Sequence, residues 1–186
     1  MSNSQIEIVA LVPVKNEAYI LETFLKHTLS LVDFIIVADQ GSTDQSVAIA
    51  KSFDSVIFVD NDSPSYDEAH RQKLLIDAAR ENFGDNSVLL AIDADELFLP
   101  FDDIDTIRAE LKSINSGTTL LFDKPTLVGT SKKWITYGPV FPLGFIDTGE
   151  PHHGSFIHGR RVPDGNGSTY PMRSCAFLHL DLLDAE

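Results

Sequence analysis

Leu89-Leu90-Ala91-Ile92-Asp93-Ala94-Asp95-Glu96 is an apolar run that ends abruptly in acids. An unbroken apolar run of this length reads as a strand buried on both faces, the kind found in parallel sheets. In an extended backbone, residues i and i+2 project to one side, so Asp93 and Asp95 are expected to point at one object beyond the strand end. Like charges so placed repel unless a cation lies between them. Mg²⁺ and Mn²⁺ favour oxygen ligands of this kind, completed by water and substrate phosphates.

The residues on either side supply the fold. Residues 6–14 are apolar and β-branched and read as a first buried strand. From Glu17 the period changes to helical, with Leu21, Phe24, Leu25, Thr28 and Leu29 on one stripe. Residues 33–38 form a second strand, after which Ser42 and Gln45 resemble a capping box opening a helix to about Phe53. Ser55–Val59 is a third strand. Ser65 with Glu68 predicts a second capping box, for a helix carrying Leu74, Leu75, Ala78 and Ala79 and ending near Gly84. The strand Val88–Ile92 follows, then a helix through Ile104, Ile107, Leu111 and Ile114 that stops at Gly117, and a strand over Thr118–Phe122. Strand and helix alternate with short connections, the pattern of a mostly parallel, doubly wound α/β sheet. Beyond Asp123, glycine, proline, histidine and aromatic residues predict an irregular C-terminal extension of the same domain.

Composition sets limits. The chain has 186 residues, one cysteine (Cys175) and a net charge of −14. The length suits a single domain spanning residues 1–186. The acidity argues against nucleic acid as a partner, which needs a basic surface. A lone cysteine in an apolar stretch reads as a packing thiol in a reducing compartment. No signal peptide or membrane-spanning run is evident, so the expected location is cytoplasmic.

Ligands of open α/β sheets bind where the strands end. Those ends carry Val14-Lys15-Asn16-Glu17, Asp39-Gln40-Gly41-Ser42, Asp60-Asn61-Asp62 and Asp93-Ala94-Asp95. Neither a GxGxxG fingerprint nor a P-loop follows the first strand. The aspartyl-nucleophile phosphatases carry their acid pair on the first strand, whereas here it ends the fourth.

Four ordered pieces carry a resemblance over about residues 6–100: Val12-Pro13-Val14-Lys15-Asn16-Glu17, Ile35 to Asp44, Glu68-Ala69-His70-Arg71, and Ala91 to Glu96 with its DxD motif. Together they resemble glycosyltransferase family 2, inverting transferases of the GT-A fold (the Rossmann-like nucleotide-diphospho-sugar transferase architecture). The resemblance implies a nucleotide-sugar donor, a divalent metal (Mn²⁺ or Mg²⁺) and a glycan or lipid-linked acceptor in cell-surface glycan synthesis. It also implies that residues 1–100 hold the donor and 101–186 the acceptor, with peripheral association at the inner face of a membrane. By the family pattern Pro13, Val14, Asn16, Glu17, Asp39 and Gln40 line the base and ribose pocket with Arg71 nearby. Asp93 and Ala94 face the ribose or the metal, and Asp95 is the principal metal ligand. Gln40 stands where the family often has a second acid, and an amide both donates and accepts, which leaves the base open.

An inverting transferase needs a general base. Asp147, Glu150 and Asp164 are the acids available beyond the DxD strand, and Glu150 is favoured because its loop, Thr148 to Gly154, is dense in functional groups. His179, on the short apolar strand 176–181, is either a core histidine or the late metal ligand that related transferases supply. Arg160, Arg161 and Arg173 are possible phosphate contacts, and Trp134, Tyr137 and Phe141 a possible acceptor wall. Two other functions compete: a nucleotidyltransferase of similar architecture, and a nucleotide-sugar-binding domain without catalysis.

Overall fold

A computed structural model describes residues 6–63, 67–128, 134–136, 140–152, 161–163 and 167–181. Four strands form its parallel half: β1 (Ile8–Val14), β2 (Phe34–Asp39), β3 (Val56–Asp60) and β4 (Val88–Ala91). They lie in the order β3-β2-β1-β4, each parallel to its neighbour. The helices α1 (Leu21–Thr28), α2 (Ser46–Ala50) and α3 (Glu68–Phe83) connect them. The chain winds from β1 outward to β3, then returns through α3 to place β4 on the other side of β1. That reversal opens a crevice at the carboxyl ends of β1 and β4.

Burial on both sides explains why β1 is apolar throughout. Ile8, Ala10, Val12 and Val14 pack into the layer that holds Leu21, Phe24 and Leu25 of α1, with Ile107 and Leu111 of α4 (Ile104–Ser113). Val9 and Leu11 face the opposite layer, against Leu75, Ile76, Ala78 and Ala79 of α3.

The remaining strands are β5 (Glu96–Pro100), β6 (Thr118–Asp123), β7 (Pro125–Val128), β8 (Trp134–Thr136), β9 (Phe141–Ile146) and β10 (Ser168–Asp181). They extend the same sheet as β4-β9-β6-β10-β7-β8, with β5 pairing β10. The extension is thus more regular than expected. β10 runs 14 residues, first parallel to β6 and then, past an irregularity between Pro171 and Ala176, between β5 and β7. Gly144 lets β9 approach β4: a Cβ there would sit 2.8 Å from Leu90 Cδ2 and 3.0 Å from the Leu89 carbonyl.

Three local expectations are corrected. Ser42 and Gln45 form no capping box; α2 begins at Ser46, whose N–H donates to Asp44 Oδ1 at 2.9 Å. The Ser42 hydroxyl is instead taken by the Asn16 N–H at 2.8 Å. Helix α3 is capped by Asp67, which accepts from the His70 N–H, while Ser65 lies outside the described residues. Helix α4 ends at Ser113, so Gly117, although at φ +78°, turns the chain into β6 rather than closing the helix.

Candidate functional site

The strand that carries the acids stops sooner than the apolar pattern implies. β4 ends at Ala91, and Asp93 to Glu96 form a turn closed by the Glu96 N–H donating to the Asp93 carbonyl at 3.0 Å. Ile92 and Ala94 stay in the core, which drives the turn inward at Ala94 and leaves Asp93 and Asp95 on its flanks. Both carboxylates line one cleft, and each has its own protein partner. Asp93 is paired with the Arg161 guanidinium, and Asp95 Oδ2 lies 3.3 Å from His179 Nε2.

His179 reaches Asp95 through pairing of β10 with β5, in which it sits opposite Glu96 and the Leu180 N–H donates to the Asp95 carbonyl at 2.9 Å. The histidine is half-buried beside the acid turn. Burial opposes ionisation of Asp95, but the His179 imidazole outweighs it and holds the carboxyl below its usual range. The Asp95 hydrogen bond in turn raises His179 above that of an ordinary imidazole, against burial. Asp93 behaves oppositely. Burial raises its pKa, and Glu96 and Asp95 add to that while Arg161 opposes it.

Glu96, noted in the sequence only as the third acid of the run, is the fully buried centre of this region. Its Oε1 accepts from Lys124 Nζ, and its Oε2 from Arg161 Nη1 at 2.7 Å and the Asp93 N–H at 3.0 Å. The Arg161 carbonyl accepts from Gln72 Nε2 of α3 at 2.9 Å. Burial works against the charge of Arg161, but Glu96 and Asp93 outweigh it and push its pKa further up.

A cleft of about 670 Å³ opens at this rim. Its walls include Pro13 and Val14 at the end of β1, Lys15 and Glu17 after it, Gln40 after β2, Arg71 and Gln72 of α3, and Asp93, Ala94 and Asp95. Lys124, Phe141 and Arg161 close the far side. Burial raises the pKa of Glu17, and the Tyr19 hydroxyl bonded to it pulls the other way.

Asn16 and Asp39 stand behind this surface. Asn16, at φ +59°, accepts from the Thr43 N–H at 2.8 Å, and Asp44 Oδ2 accepts from the Ala18 N–H at 3.0 Å. The loops after β1 and β2 are thereby lashed together, and Asn16, exposed on its loop, is not among the residues that line the cleft. Asp39 is buried; its Oδ2 accepts from the Ser42 N–H at 2.9 Å, and its Oδ1 has no partner.

Asp95 Oδ1 is likewise buried without a hydrogen-bond partner. An unpaired buried carboxylate oxygen is costly. A divalent ion coordinated by Asp95 and His179 satisfies it, and oxygen and imidazole donors both suit Mn²⁺. The residues present fit a metal. Among the described residues no group of three or more acids, histidines or cysteines could enclose one.

Glu150 does not join the site. Its loop follows β9 at the opposite rim, where the Asp147 N–H donates to the Ser87 carbonyl, just before β4 begins. Arg80 holds this loop, donating to both carboxylate oxygens of Asp147 at 2.8 and 2.7 Å and to the Glu150 carbonyl at 2.8 Å. Four residues of strand separate the two rims, about 13 Å. Arg173 pairs with Asp123 on the surface, and of the aromatic trio Phe141 reaches the cleft. Asp164, Arg160, Tyr137 and the Trp134 side chain lie outside the described residues.

One carboxyl-edge cleft of an α/β sheet thus gathers an acid turn with arginine and lysine side chains, and His179 stands beside Asp95. The model of glycosyl transferase family 2 matches residues 9–109, more than half of the chain, and the protein belongs to that family. It is therefore a glycosyltransferase. No curated protein matches the chain. Two solved structures resemble it in part. The crystal structure of 4-diphosphocytidyl-2C-methyl-D-erythritol synthase aligns over 73% of this chain and 74% of its own, at 16% identity and a TM-score of 0.46. Glucosyl-3-phosphoglycerate synthase from Mycobacterium tuberculosis, in complex with Mn²⁺, uridine diphosphate and glucosyl-3-phosphoglycerate, aligns over 66% of this chain and 45% of its own, at 22% identity and a TM-score of 0.41. Neither likeness bears on what occupies the cleft.

Proposed function

We propose that the protein transfers a sugar from a nucleoside-diphosphate donor to an acceptor hydroxyl, with inversion and with a divalent metal, Mn²⁺ or Mg²⁺. The observation that carries this reading is the pairing of Asp95 with His179 while Asp95 Oδ1 stays buried and unpaired at the cleft. In the transfer, the acceptor oxygen attacks the anomeric carbon, the bond from that carbon to the diphosphate oxygen breaks, and the hydroxyl proton leaves to a base. Asp95 and His179 would hold a divalent metal, which when bound would supply positive charge to offset that of the departing diphosphate. Arg161 stands beside Asp93 to meet the same charge, and Gln40, Glu17 and the residues around Pro13 and Val14 receive the nucleoside. Glu150 is withdrawn as the base because of its position, and Asp147 is already committed to Arg80.

The acceptor is a glycan or a lipid-linked sugar, approached from the side of Phe141. A lipid-linked acceptor implies association with a membrane surface; no described helix is long and apolar enough to cross one.

Thermal-shift titration with UDP, GDP, ADP and CDP, with and without Mn²⁺, tests the reading. Stabilisation by one nucleotide that needs Mn²⁺ is expected, at about 2.7 kcal/mol for ligand at a hundred times Kd. Hydrolysis of the matching nucleotide-sugar should then release the nucleoside diphosphate. No stabilisation by any of the four overturns the assignment, and release of pyrophosphate from a nucleoside triphosphate replaces it with nucleotidyl transfer.

A further inference from the structure

The cation that faces Arg161 across Glu96 has no part in the reading so far. Glu96 is fully buried, and its cost is offset by two cations from separate segments: Lys124, between β6 and β7, and Arg161, before β10. A buried acid that only balanced charge would be served by cations buried with it. Lys124 and Arg161 are instead 14% and 28% exposed, and both line the cleft. Their charge is shared between Glu96 behind and the cavity in front.

Chain connectivity fixes where in the cavity they act. Glu96 directly follows Asp95, so the cation on its Oε1 stands beside the metal-binding pair. Lys124 lines the same cleft as Asp93 and Asp95. It also lies 5.5 Å from the centre of the Phe141 ring, which limits where its ammonium can go. Arg161 holds Asp93 and one oxygen of Glu96 and Lys124 holds the other, so two cations from separate segments meet at this turn.

We propose that Lys124 is a donor-diphosphate-binding residue, and that Glu96 is a positioning residue which holds Lys124 and Arg161 as a two-sided clamp on that group. This rests on the cleft being a nucleotide-sugar site. Arg161 supplies a planar fork to one phosphate, and Lys124 a compact charge to the other. Glu96 makes no contact with the donor; it keeps both cations at the wall in the absence of ligand, so that little ordering remains when the diphosphate arrives.

Inorganic pyrophosphate with Mn²⁺ is the appropriate probe, because it carries the diphosphate and no base. Calorimetric titration of the whole protein should show binding that falls at least tenfold in Lys124→Met and is largely restored in Lys124→Arg. In a double-mutant cycle, Lys124→Met should cost less than threefold once Glu96→Gln is present, because the lysine is then no longer held. If Glu96→Gln fails to fold, Glu96→Asp, which keeps the charge but shortens the arm, takes its place in the cycle. Binding by Lys124→Met within twofold of wild type, or full additivity in the cycle, overturns the proposal. Failure of the wild type itself to bind Mn²⁺-pyrophosphate instead overturns the site assignment on which it rests.

Discussion

The two ends of β4 each carry an aspartate paired with an arginine, yet they are finished differently. At the amino end, Arg80 grips both oxygens of Asp147 and the Gly149 N–H adds a third contact, at 3.3 Å to Oδ1. Nothing is left for a ligand. At the carboxyl end, one oxygen each of Asp39 and Asp95 has no partner, and the acids are spread over separate cations around a cleft. A protein holds such incompletely satisfied groups where something else completes them. The difference separates acids that build the fold from acids that serve the reaction, and it removes Glu150 from the second group.

Four substitutions sharpen or break this contrast. The largest effect is expected at the finished end. Asp147→Ala strands Arg80 in a half-buried position and should destabilise the protein by about 3–5 kcal/mol, seen as a fall of roughly 10 °C in Tm. Nucleotide affinity of the folded fraction should survive. Asp95→Asn should do the reverse: transfer falls at least about a hundredfold, a loss near 3 kcal/mol in the barrier, while Tm stays within a few degrees. An equal loss of stability at both positions would erase the distinction between the ends.

Between the ends, Gly144→Ala forces a methyl against Leu90 and the Leu89 carbonyl. It should cost about 1–3 kcal/mol in denaturant titration and weaken nucleotide binding through the displaced turn. Smaller still is Asp67→Ala, which uncaps α3 for about 1 kcal/mol with little change in nucleotide affinity, since Asp67 does not line the cleft.

Acid titration gives a further check away from the cleft. Burial works to raise the pKa of Asp33, but the Ile8 N–H, Arg108 and Lys112 outweigh it and hold the folded-state value below normal. Its contribution to stability is full above the unfolded pKa, about 3.9, and is lost as pH falls through the lower folded value. Asp33→Asn should therefore lower stability at neutral pH and flatten the acid limb of the unfolding profile. An unchanged acid limb would mean that Asp33 is not held in its charged form by the fold.

Much of this was legible in the sequence, because parallel strands buried on both faces leave unmistakable apolar runs. β1, β2 and β3 fall within a residue or two of their predicted limits, and the strand-end acids do gather at one rim. The turn at Asp93 was harder to see. An apolar run does not say where extension stops, and Ala94 entering the core bends the chain before Asp95. Glu96 was the missed signal. It heads Glu96-Leu97-Phe98-Leu99, a β-prone run in which a buried acid demands cations. Their identity was not readable, since Lys124 and Arg161 arrive from 28 and 65 residues away. The same non-locality hid the fate of Glu150, whose loop is fixed by Arg80, 70 residues earlier.

The central claim is that Asp95 and His179 hold a divalent ion at the donor diphosphate. Anomalous diffraction from crystals grown with Mn²⁺ and the stabilising nucleoside diphosphate tests it directly. The account predicts one strong manganese peak roughly 2.1 Å from a carboxylate oxygen of Asp95 and from His179 Nε2, in contact with the diphosphate. A peak that bypasses both residues, or nucleotide bound in the cleft with no manganese beside it, would contradict it.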